Sequence, residues 1–68
     1  RMKDAIPQSE FTATVVHAIE SGAVSREDIA IEFGIGLGTV DRWKAGKSMP
    51  QPYAVPVVMT FLLSKLPN

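Results

Sequence analysis

Apolar residues recur three and four positions apart in short bursts, and each burst is closed by a glycine or met by a proline. Phe11, Val15, Ala18 and Ile19 share one helix face, so the spacing predicts a helix over about 9–21, with Ser9 as its N-cap and Gly22 as its stop. A second start follows at once. Ser25 with Asp28 three residues on has capping-box form, and Val24 and Ile29 are placed to staple across the cap. This predicts a helix over about 25–33 with Ile29, Ala30 and Phe33 inward, ended by Gly34 as a left-handed cap. A third helix is predicted over about 37–45, with Val40 and Trp43 inward and Gly46 closing it.

The stretch "KSMPQPYAVP" holds Pro50, Pro52 and Pro56, which favours an extended connector or a short turn. Pro56 then suits the first position of a last helix over about 56–66. Residues 1–8 have no period and contain Pro7, so they read as a flexible lead-in to a single domain over 9–68. No segment alternates as a strand does, and no internal repeat is present. The predicted fold class is therefore all-α, a compact four-helix domain.

At 68 residues, with no cysteine, the chain has room for one small core held by apolar burial and little room for a deep cleft. The longest apolar stretch, Val55 to Leu63, is interrupted by Pro56 and Thr60 and falls well short of the roughly 20 residues that span a bilayer. The first residues lack the apolar core of a secretory leader, and Arg1 ahead of Met2 fits a segment of a longer protein. No membrane partner is expected.

Charge changes the picture, because a formal net charge of zero hides an uneven distribution. Residues 1–34 carry three cations against six anions, net −3; residues 35–68 carry Arg42, Lys44, Lys47 and Lys65 against Asp41 alone, net +3. The basic half is the one that could meet a polyanion. Catalysis finds no support: His17 has no second His or Cys at ligand spacing, and no nucleophile, base and acid come together in the pattern. No enzyme activity, metal or cofactor is expected.

Gly34, Gly36 and Gly38 in "FGIGLGTVDRW" invite comparison with a phosphate-binding loop. Such a loop follows a strand and spaces its glycines Gly-x-Gly-x-x-Gly, or carries a P-loop lysine; here a helix precedes, the spacing is Gly-x-Gly-x-Gly, and no such lysine follows. The same residues suit a tight corner between two short crossing helices. Gly34 makes the turn, Ile35 plugs it, Gly36 stands at the next N-cap, and Gly38 costs about 1 kcal/mol of helix propensity against alanine.

Ala30, Gly34, Val40 and Trp43 have the spacing A-x₃-G-x₅-V-x₂-W, with Ile29, Phe33 and Ile35 in the other apolar slots and "GTVDRWKAGKSMP" completing the run. This resembles the helix-turn-helix of the phage-repressor and Cro-like, XRE-type family over about residues 25–50, and more weakly in the first and last helices. The resemblance implies a lambda-repressor-like domain whose second motif helix lies in the major groove of double-stranded DNA. It implies base-facing positions at Leu37, Gly38 and Arg42, with Thr39 and Asp41 nearby, and a phosphate contact at Arg26. Lys44 and Lys47 follow the reading face and would add phosphate contacts. Arg42 is the best direct reader, since its fork matches guanine O6 and N7.

The chain departs from the family where polar side chains usually stand: Leu37 offers only apolar contact and Gly38 offers none. With three or four phosphates neutralised, a single domain is expected to bind weakly and with steep salt dependence. A second copy, or further domains of a longer chain, is therefore expected. In the last helix Val58, Phe61, Leu62 and Lys65 form one stripe and Met59, Leu63 and Leu66 a second, which is either buried within the monomer or forms a dimer surface. Glu27, Asp28 and Glu32 are either a solvated face or, as the resemblance implies, a patch that touches RNA polymerase. The function expected is a transcription regulator of bacterial or phage type, in the cytoplasm at the nucleoid. The alternative is the same fold used as a protein-interaction module through the last helix or the acidic one.

Overall fold

The computed structural model describes residues 6–67, and the part of the lead-in at Arg1–Ala5 lies outside them. Four helices follow in order, α1 (Gln8–Glu20), α2 (Arg26–Phe33), α3 (Leu37–Lys44) and α4 (Val55–Lys65), with no strand among the described residues. The domain is an all-α four-helix globule. α1 packs on both α3 and α4, and α2 packs on α3.

The predicted helix ends hold closely, because most are written in local backbone chemistry. The Ser25 hydroxyl accepts a hydrogen bond from the Asp28 amide at 2.9 Å, and the Asp28 carboxylate accepts one from the Ser25 amide at 3.3 Å. The two satisfy orphan donors at the start of α2 reciprocally. Ser25→Ala is expected to cost about 1 kcal/mol, read as a lower urea midpoint with an unchanged slope. An unshifted midpoint would show that the cap contributes nothing.

At the other end of α2, Gly34 has φ 64°, its amide donates to the Ile31 carbonyl, and the Ile35 amide donates to the Ala30 carbonyl at 3.0 Å. This is a Schellman closure, which satisfies the last carbonyls and turns the chain towards α3. α1 and α3 end by the same bond pattern.

Three boundaries differ from expectation. Pro7, not Ser9, caps α1: its carbonyl takes the first helical hydrogen bond, from the Phe11 amide at 3.1 Å. The Gln8 side-chain amide donates to the Gly46 carbonyl at 2.9 Å, tying the first residue of α1 to the end of α3. The lead-in therefore ends before Pro7, and Ile6 already packs against the core. α4 begins at Val55 rather than Pro56, because a turn closed by the Ala54 and Val55 amides on the Gln51 carbonyl runs straight into it. Pro56 then stands in the first turn, where its missing N–H has no helical partner to lose.

The core gathers one side of every helix: Phe11, Val15 and Ala18 from α1, Ile29 and Ala30 from α2, Val40 and Trp43 from α3. Phe11 and Trp43 meet edge to face, with ring centroids 5.6 Å apart. Phe33 and Phe61 make a second such pair at 5.4 Å, closing α2 against α4.

α4 contributes Val55, Val58, Met59 and Leu62, with Leu66 partly buried after its end. Met59, Leu63 and Leu66, expected either to be buried within the monomer or to form a dimer surface, divide between the two alternatives. The two sequence stripes adjoin, and the helix turns their shared edge inward, so Met59 is only 6 % exposed while Leu63 remains 55 % exposed. Outside, α4 shows Val57 and Leu63 among the uncharged Pro56, Thr60 and Ser64, with Lys65 the one exposed charge of the helix.

Candidate nucleic-acid interface

The three residues between α2 and α3 set the pose of the second helix. Ile35 bonds back to α2 and packs partly into the core, and Gly36 caps α3 with extended backbone. Val40 and Trp43 then pin the inner side of α3. Its outer side is left to Leu37, Gly38, Asp41, Arg42 and Ala45, all exposed, with Thr39 and Lys44 half-buried at the flanks. The backbone thus brings the expected reading residues together on one open face.

Arg42 is the dominant side chain of that face. It leans towards the helix N-terminus, as helical side chains do, and its Nη2 donates to the Thr39 hydroxyl at 3.2 Å. Its Nη1 lies 3.8 Å from where a Cβ on Gly38 would stand. Gly38 therefore leaves bare backbone beneath the guanidinium, and the first turn of α3 presents one planar cation beside the exposed Leu37. Lys47, exposed, follows the Schellman closure of α3, its amide bonded to the Arg42 carbonyl at 2.9 Å.

Arg26 and Asp41 do not stand as separate contacts. Arg26 Nε and Nη2 donate to the two oxygens of the Asp41 carboxylate at 2.7 and 2.9 Å, a fork-to-fork pair that joins the first residue of α2 to the outer side of α3. Both side chains remain substantially exposed, at 37 % and 50 %. The hydrogen bonds from Arg26 hold the Asp41 carboxyl below the ordinary aspartate range, the charges of Arg26 and Lys44 adding to them and desolvation opposing. The same bonds, then the charge of Asp41, raise the Arg26 guanidinium further.

Sequence reasoning named both residues but gave them independent roles. The signal was present: Asp41 is the sole anion of the basic half, and a four-residue step from Leu37 returns it to the side of α3 nearest the start of the motif.

On the acidic side, Ile31 is 79 % exposed between Glu27, Asp28 and Glu32 on the outer face of α2. Asp28 already serves the cap of its own helix. Asp28, Ile31 and Glu32 share a shallow groove with Phe61 and Lys65 of α4, and the Lys65 ammonium sits 5.2 Å from the Phe61 ring centre. His17 is exposed on α1. Among the described residues no cluster of His, Cys, Asp or Glu is arranged to hold a metal, and no helix is long and apolar enough to cross a membrane. No family model, curated protein or solved structure matches the chain.

Proposed function

We propose that this chain is a DNA-binding domain that lays α3 in the major groove of double-stranded DNA, as the DNA-contacting part of a transcription regulator. The observation that carries the proposal is the arrangement of α3 itself. A Schellman corner delivers it, Val40 and Trp43 hold its inner side, and Arg42 stands over a helix turn stripped of side chain at Gly38. A helix about 10–12 Å across fits a major groove about 12 Å wide, and with no side chain at Gly38 the Arg42 guanidinium can lie against the first turn and meet the base edges. Leu37 is 38 % exposed beside it and offers apolar contact, for instance to a thymine methyl. Lys44 and Lys47 extend the cationic side of the helix end towards phosphates.

With so few charges, affinity per domain is low, and two copies or a larger chain supply the rest. A two-fold pair would set two α3 helices about 34 Å apart on a palindromic site. The exposed Val57 and Leu63 of α4 and Ile31 of α2 favour a second reading, in which the same fold serves protein partners, RNA polymerase among those suited to the acidic α2 face.

One titration separates the two. Labelled duplex of random sequence is expected to bind at 50 mM salt and to lose affinity steeply by 200 mM, with a log–log slope of about −0.9 for each phosphate contact. Absence of binding at low salt, or binding indifferent to salt, overturns the DNA role and leaves the protein-partner reading.

A further inference from the structure

The pairing of Arg26 with Asp41 has a consequence for how a polyanion is met. A bidentate guanidinium–carboxylate contact uses the same planar fork that a phosphate would take. In this domain the fork of Arg26 is closed on both oxygens of Asp41, at 2.7 and 2.9 Å. The carboxylate also stands on the outer side of α3, one residue from Arg42, where a DNA backbone or base edge would arrive. Asp41 thus subtracts twice: it occupies the one cation that α2 contributes, and it places a negative charge against phosphates. The pair is exposed and joins two helices that Ala30, Val40 and the turn residues already hold together, so packing does not require it.

Resting on the DNA-binding role proposed above, we infer that Asp41 is a positioning residue that restrains sequence-independent DNA affinity by holding Arg26 away from phosphate. Non-specific binding is carried by phosphate contacts, whereas base contacts discriminate between sequences. A domain with one strong reader, Arg42, and few polar neighbours gains selectivity when its indiscriminate contacts are kept few. Arg26 is then available to phosphate only when Asp41 releases it.

The test is a salt titration of random-sequence duplex against the wild type, Asp41→Asn, Arg26→Ala and the double variant. Asp41→Asn is expected to bind more tightly at 50 mM salt, with a slope steeper by about 0.9, so that its advantage shrinks about 3.5-fold by 200 mM. In the Arg26→Ala background the same substitution is expected to leave the slope unchanged. Equal gains in both backgrounds would mean that Asp41 acts through its charge alone, and no gain in either would mean that it does not restrain binding; both overturn the inference while leaving the DNA role standing. If neither the wild type nor Asp41→Asn binds duplex, the DNA role falls and the inference with it. Asp41→Ser, expected to steepen the slope likewise, serves if the asparagine variant fails to fold by circular dichroism.

Discussion

Trp43→Ala is expected to remove about 3–5 kcal/mol of stability, the usual cost of deleting a large buried aromatic. A domain of this length holds in total about 3–10 kcal/mol, so the variant should lose about a third or more of its stability, and all of it if the wild type lies at the low end. The size of the effect follows from position. Trp43 is 4 % exposed, stacks edge to face on the fully buried Phe11, and is the contact through which α1 holds α3 from behind. Removing it opens a cavity between α1 and α3 and frees the proposed reading helix to rotate. Urea unfolding followed by far-ultraviolet circular dichroism reads the loss directly. Tyr53→Ala, at an aromatic 80 % exposed, is the control and should change stability by less than about 0.5 kcal/mol. A Trp43→Ala protein that melts like the wild type but fails to bind DNA would mean that the indole meets a base rather than the core.

The second large effect is expected at Arg42. A bidentate contact to guanine is worth about 1–3 kcal/mol of discrimination, so Arg42→Ala should reduce selection of preferred sites over mismatched ones by about 5- to 150-fold. Lys44→Ala should instead weaken all sequences alike and flatten the salt slope by about 0.9. Selection from a random duplex pool, followed by titration of the enriched and scrambled sites, separates the two effects. If Arg42→Ala enriches the same sequences with the same preference, base recognition does not reside in Arg42. The contrast is sharp here because Gly38 contributes no side chain and Asp41 is turned to Arg26.

Much of this was legible in the chain itself. The capping box at Ser25 and Asp28, the left-handed closure at Gly34 and the inward set of Val40 and Trp43 each follow from residues within four positions of one another. Local hydrogen bonds and helical period decide them. The boundaries that moved did so for two reasons: at the start of α1 Gln8 bonds to Gly46, thirty-eight positions away, whereas α4 starts early through a local turn closed on the Gln51 carbonyl. The candidate interface divides the same way. Arg42 on the open side of α3 follows from the helical period, while its rest on Thr39 and over Gly38 depends on its rotamer.

By itself the sequence determined an all-α chain of four short helices, where most of them stop, and which residues of the third face outward. These are consequences of backbone chemistry and of a 3.6-residue period. The tertiary structure alone decided how α4 is turned, sending Met59 inward and leaving Leu63 out, because rotation about a helix axis is set by the partner it packs against. It also decided that Arg26 and Asp41 meet. Fifteen residues separate them, and only the crossing of α2 and α3 brings a guanidinium at the start of one within 2.7 Å of a carboxylate on the other.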